Sequence, residues 1–148
     1  MLVEAQIDIS GSRSAVWSVM TDIEHAADIL SGVLKIEIVE RPTTGLVGLR
    51  WRETREYFGK PATVEKRITD AVENESYQTR AEDSGFVFLT TMRIADSGSG
   101  CTLVSGHDTQ PQGLVAKLKA APMFLFKGVI RKALLQDLND LKAAVERT

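Results

Sequence analysis

The sequence predicts one α+β domain in which a curved, seven-stranded antiparallel sheet wraps around a long C-terminal helix, with two short helices between the first two strands. Three observations lead there. Strand-like segments separated by turn clusters fill most of the first 109 residues. From about Gln112 the apolar residues recur at three- to five-residue steps, the spacing of an amphipathic helix. The turns between successive strands are short, so neighbours pair antiparallel.

The elements follow in order. Val3, Ala5, Ile7 and Ile9 alternate with Glu4, Gln6 and Asp8, a half-buried first strand. Ser10-Gly11-Ser12 ends it, and Ser12 suits the N-cap of a helix carrying Val16, Trp17 and Met20. Thr21 with Glu24 fits a capping box for a second short helix reaching about Asp28. Leu34, Ile36 and Ile38 alternate against Lys35 and Glu37 in the second strand, with the three apolar residues on one face, and Arg41 to Gly45 is a turn. The third strand runs from about Val47 to Phe58 and the fourth from about Ala62 to Val72. Tyr77, Thr79 and Ala81 mark the fifth, and Asp83-Ser84-Gly85 is a hairpin signal. Phe86 to Ala95 is apolar on both faces; Cys101 to Thr109 is the last strand. The helical stripe then reads Leu114, Leu118, Leu125, Ile130, Leu134, Leu138, Leu141 and Val145. Pro122 interrupts it, because proline removes a helix hydrogen bond and clashes with the preceding turn. A break is expected near Ala121-Pro122, with the stronger helix from about Met123 to Arg147.

At 148 residues the chain has the size of one domain, residues 1–148, able to bury roughly two-thirds of its unfolded surface without staples. A net charge of −2 gives no basic surface for nucleic acid. The single cysteine, Cys101, supports no disulfide framework and fits a reducing compartment. No secretory signal is evident at the start, and no apolar run approaches the roughly 20 residues of an integral membrane segment. The expectation is a cytoplasmic protein; a homodimer is compatible with the sequence.

Ala15-Val16-Trp17-Ser18-Val19-Met20-Thr21-Asp22, Gly48-Leu49-Arg50-Trp51-Arg52-Glu53-Thr54 and Gln136-Asp137-Leu138-Asn139-Asp140-Leu141-Lys142 with Glu146 stand in telling order. In these motifs and in its order of elements the chain resembles the helix-grip proteins: START-like and birch-pollen-allergen-like proteins, and the polyketide cyclase/dehydrase-like subfamily. The resemblance spans the chain and implies a deep cavity between sheet and helix. It implies no single chemistry, since one fold hosts many functions.

Trp51, Glu53, Arg55 and Tyr57 share one face of the third strand. Turned inward, they would give a cavity an indole, a carboxylate, a guanidinium and a phenol. A buried carboxylate then needs a partner, such as Arg55 or Lys66. Turned outward, the same pair is only structural. His107 lies on the last strand with Leu103, Ser105 and Thr109, and neither face of that strand is decisively apolar. His25 could line an entrance or sit on the surface. Phe86, Phe88, Met92, Met123, Phe124 and Phe126 could shape an apolar pocket or fill a plain core. The aromatics beside Pro122 read best as an entrance loop.

Two histidines and one cysteine, scattered, make no zinc site, and no phosphate-binding glycine motif or nucleophile elbow appears. No metal and no cofactor are expected. The leading expectation is binding or transport of an apolar or aromatic small molecule, lipid-, quinone- or polyketide-like. Its expected contacts are Trp51, Glu53, Tyr57, Lys66, Phe88, Met92, Met123 and Phe126. An enzyme of cyclase/dehydratase type using Glu53, Tyr57 or His107 is the alternative, and a protein-interaction module the second alternative.

Overall fold

A computed structural model describes residues 1–147. The elements are β1 (Leu2–Ile9), α1 (Arg13–Met20), a 3-10 turn (Ile23–His25), α2 (Ala26–Ile29), β2 (Val33–Glu40), β3 (Arg50–Tyr57), β4 (Lys60–Val72), β5 (Ser76–Asp83), β6 (Phe86–Ser97), β7 (Gly100–Pro111), α3 (Gly113–Ala120), a second 3-10 turn (Ala121–Phe126) and α4 (Lys127–Glu146). The strands form one sheet in the order β1-β7-β6-β5-β4-β3-β2, antiparallel throughout. This is the helix-grip fold: a meander from β2 to β7, with β1 returned to its far edge.

The core lies between the concave face of the sheet and α4. Ala5 and Ile9 of β1, Leu103 of β7, Ile94 of β6, Ile68 of β4 and Trp51 of β3 are buried there against Leu138, Leu141 and Val145. The ambiguity of β7 is resolved by burial: Leu103, Ser105 and Thr109 are all inside, so His107, two residues from each of the last pair, turns to the concave face too. Gly100 opens β7 because a Cβ there would collide with the Ile9 carbonyl.

Ser12 caps α1 as expected, its hydroxyl accepting from the Ala15 amide at 3.1 Å. Arg13 fastens the helix to the sheet, donating to the Asn74 and Ile94 carbonyls and to Asp96. The capping box at Thr21 does not form. Its hydroxyl donates back to the Trp17 carbonyl instead, and the next turn starts from Asp22 without a side-chain cap. Leu34 is also corrected: a register shift between Val33 and Lys35 buries Val33 and leaves Leu34 outside. Such a bulge reverses which side chains face inward.

The largest difference from the sequence reading is in the final helical segment. Pro122 does end the first helix, but a 3-10 turn follows it and α4 starts only at Lys127. Leu134 is partly buried and Leu138, Leu141 and Val145 fully so, whereas Leu114, Leu118 and Leu125 face solvent. The reason is the support available. Among the described residues the α3 helix rests on the end of β7 and on the β5–β6 turn, where the Gln112 amide donates to the Gly85 carbonyl at 2.7 Å and Ala116 approaches Gly85. Among its residues only Ala116 is buried.

Candidate functional site

Between the sheet, α1–α2, the Pro122 turn and α4 lies a cavity of about 550 Å³, partly open to solvent where its lining includes the exposed Tyr57, Phe58 and Phe126. Its helical wall is apolar apart from Asp137 on α4 and Asp22 beside α1, with Met123, Phe126, Ile130, Leu134 and Leu138 contributing. Its sheet wall is mixed, with Trp51, Glu53, Lys66, Thr79, Ser105 and His107 facing the same space. Trp51 and Glu53 are therefore on the concave side. The alternation of β3 puts Trp51, Glu53 and Arg55 on one face, and the register sets Lys66 of β4 directly opposite Trp51.

This pairing builds a closed charge network. Glu53 Oε2 accepts from Arg55 Nε at 2.7 Å and from Lys66 Nζ at 2.9 Å, and Glu53 Oε1 accepts from the Trp51 indole at 3.3 Å. The Arg55 guanidinium then donates to both oxygens of Asp137, at 3.2 and 2.9 Å. Two cations and two anions tie β3, β4 and α4 together. Burial by itself would raise the Glu53 pKa, but the cationic Lys66 and Arg55 outweigh it and hold the carboxyl at about 2. Burial would lower that of Arg55, but Glu53 and Asp137 raise it.

A second, neutral group of polar side chains crosses β5, β6 and β7. Thr79 stands opposite Thr90, and Thr90 opposite His107. The Thr90 hydroxyl and His107 Nδ1 are 3.1 Å apart, and Phe88 stacks on the imidazole. Burial first, then Lys66, pushes the His107 pKa down to about 4, so the ring is neutral at pH 7. Thr79 and Ser105 are buried residues that line the cavity, and their hydroxyls make no hydrogen bond to the described residues. Tyr77 also reaches the cavity, but its hydroxyl is occupied, donating to the Met20 carbonyl at 3.2 Å, and burial raises its pKa.

Of the residues read from the sequence, Trp51, Glu53, Lys66, Met92, Met123, Phe126 and His107 line the cavity. Tyr57 lines its mouth and is about half exposed. Phe88 lies outside the lining, held behind the imidazole of His107. His25 is at the surface, 2.8 Å from Asp22, and Phe124 points to solvent. Asp137, Thr79, Thr90 and Ser105 escaped notice. Asp137 had a signal: it occupies a position three residues past Leu134 on the apolar stripe, where an acid must find a partner. The threonines and serine had none beyond strand alternation.

The fold recurs in solved structures. The Zhui aromatase/cyclase from Streptomyces sp. R1128 superposes with a TM-score of 0.82 at 22% identity, covering 99% of this chain and 94% of that one. A START superfamily protein from Mycobacterium smegmatis gives 0.81 at 17% identity, over 99% and 97%. A truncated norcoclaurine synthase from Thalictrum flavum gives 0.74 at 15% identity, over 98% and 92%. At these identities the likeness is one of fold. No curated protein sequence matches the chain significantly. No helix among the described residues is long and apolar enough to cross a membrane, and no cluster of metal-ligating side chains occurs among them. The family model described as polyketide cyclase / dehydrase and lipid transport matches residues 2–146, and the chain belongs to that family.

Proposed function

We propose that this chain binds and carries an uncharged, largely apolar small molecule with one or two oxygen groups, of the lipid, quinone or polyketide kind. The observation that carries this reading is the pairing of charges in the cavity. Glu53 is satisfied by Arg55, Lys66 and Trp51, and Arg55 by Asp137. A charged ligand group would have to break that network, at the cost of leaving a buried ion unpaired. The Thr79 and Ser105 hydroxyls remain open, and hydroxyls both donate and accept. They suit a carbonyl or hydroxyl on an otherwise apolar body, which the helical wall would cover.

Native mass spectrometry of the protein from its own host tests this directly through the mass of any retained ligand. A neutral hydroxynaphthoquinone and its carboxylated analogue give the second test, read by Trp51 fluorescence in a Trp17→Phe background. The neutral compound should bind more tightly. Thr79→Ala and Ser105→Ala should each weaken it by roughly 2- to 10-fold, the value of one hydrogen bond. Tighter binding of the carboxylate would sink the reading.

A cyclase-type enzyme is the second reading, and His107 is what favours it. The imidazole is neutral, is held by Thr90 and faces the cavity, as a proton acceptor should be. Glu53 does not fit that role, because Arg55, Lys66 and the Trp51 indole already occupy both of its oxygens. His107→Ala separates the readings. A carrier keeps its affinity within a few-fold, whereas an enzyme loses turnover of a poly-carbonyl substrate by roughly 100-fold or more.

A further inference from the structure

Exposed apolar side chains gather around the cavity mouth. Leu114, Val115 and Leu118 form the solvent face of α3, opposite the buried Ala116. Phe124 and Leu125 project from the Pro122 turn, and Phe58, 84% exposed, from the tip between β3 and β4. These are one neighbourhood: the Phe58 and Phe126 rings meet edge to face at 6.1 Å, and both line the cavity. Contiguous exposed apolar surface of this kind usually marks an interaction site.

Charge selects the occupant. The protein carries a net −2, yet residues 109–136 contain five lysines and arginines and no acid. Arg131 turns away to the Glu4 carbonyl, which leaves Lys117, Lys119, Lys127 and Lys132 without an ion pair among the described residues. On the helical wheel Lys117 and Lys119 flank the Leu114–Leu118 stripe, one on either side. The acids nearest along the chain to the two strand tips are Glu56 near the end of β3 and Glu82 and Asp83 at the end of β5; Glu82 is held by Arg67 and Arg80, and Lys60 opens β4 beyond Glu56. A second copy on a two-fold axis would set these lysines against themselves. The side chains protrude rather than line a groove, so they offer no slot for a peptide. Apolar side chains that stand out among lysines match the boundary of a lipid bilayer, where the stems bury and the ammonium groups meet anionic headgroups.

We propose that α3, the Pro122 turn and the β3–β4 tip form a docking surface for anionic lipid bilayers, seating the cavity mouth on the membrane. The docking does not depend on what the cavity holds, and its test uses no cavity ligand.

The experiment is co-sedimentation of the full chain with vesicles of phosphatidylcholine alone, or of equal parts phosphatidylcholine and phosphatidylglycerol. The chain should sediment with the mixed vesicles, less so as salt rises, and weakly or not at all with phosphatidylcholine. Lys117→Glu/Lys119→Glu should weaken the binding roughly tenfold or more, from the worth of each cation near an anionic surface. Leu118→Glu/Phe124→Glu should abolish it. All four positions but Phe124 lie on α3's solvent-facing sides and Phe124 is itself exposed, so the variants should melt like the parent; far-UV circular dichroism verifies that. Phe124→Trp sharpens the result, since its emission should be quenched by brominated phosphatidylcholine in the mixed vesicles. Equal sedimentation of the parent and Leu118→Glu/Phe124→Glu overturns the proposal. So does the absence of binding to the mixed vesicles at low salt. In that case, a parent that doubles its mass in sedimentation velocity while Leu118→Glu/Phe124→Glu stays monomeric assigns the face to a second copy, and a monomeric parent leaves it to an acidic protein.

Discussion

The α3 and α4 helices carry the same kind of leucine repeat and use it in opposite ways. In α4, Leu138, Leu141 and Val145 are buried against the sheet and α1. In α3, Leu114 and Leu118 stand in solvent and only Ala116 is covered. A helical period states that one face is apolar; it does not state what covers that face. The sheet reaches α4 along its length, while α3 has the end of β7 and the β5–β6 turn beneath it. One repeat therefore stabilises the fold, and the other is surplus to it.

The sharpest way to break this comparison is Leu138→Ala. Leu138 is fully buried, and removing such a side chain costs about 2–5 kcal/mol through lost burial and the cavity left behind. Urea titration measures it. A loss below about 0.5 kcal/mol, the usual range for surface positions, would show that α4 is not the packed member of the pair.

The charge network gives the next largest effect, because it fastens α4 to β3 and β4. Glu53→Gln leaves Lys66 without an anion and Arg55 with Asp137 alone. Breaking a buried pair from one side costs about 3 kcal/mol. Lys66→Met added to Glu53→Gln should recover part of that loss by removing the stranded cation. The exposed Arg80–Glu82 pair is the control: Glu82→Gln should change stability by less than about 1 kcal/mol. Equal losses at Glu53 and Glu82 would mean that water reaches the cavity pair as freely as the surface one.

His107 reports how well the loosely supported part closes the cavity. Its pKa is lowered to about 4, chiefly by burial, against about 6.5 in an unfolded chain. As pH falls below 6.5 the unfolded state takes up the proton first, so stability declines toward pH 4 and this contribution then levels off. The loss is at most about 3 kcal/mol. His25 is raised by its hydrogen bond to Asp22 and slopes the other way. The difference between parent and His107→Gln cancels that slope and those of the carboxylates. Parallel stability curves for the two, or an NMR titration of His107 near 6.5, would mean that the Pro122 turn opens enough to wet the imidazole.

How far the sequence was legible follows the same physics. The succession of elements along the chain, the hairpin at Asp83-Ser84-Gly85 and the break at Pro122 are local: alternation, turn residues and a missing amide encode them, whereas the pairing of β1 with β7 is not. Which way Trp51 and Glu53 point was only half legible. Alternation put them on one face with Arg55, but the choice of concave face belongs to the whole sheet. The Asp137 partner of Arg55 comes from 82 positions along the chain, a distance no local pattern spans. Leu34 was misplaced because a bulge shifts register without a sequence mark. Leu114, Leu118 and Leu125 were misplaced because periodicity was extended past the end of the sheet that covers α4.

The smallest effect is the counterpart of the first. Leu118 is 69% exposed, so trimming it removes little buried surface, and Leu118→Ala should leave stability within about 0.5 kcal/mol of the parent. Alanine is the stronger helix former, so the change is not expected to loosen α3 itself. Amide exchange adds the local view. The helix α3 has one buried residue, with a strand end and a turn for support, and its amides should exchange through local opening long before those of α4. Equal protection in the two helices, together with a loss at Leu118 approaching that at Leu138, would mean that α3 folds down onto something in solution. The two repeats would then be alike in use as well as in pattern.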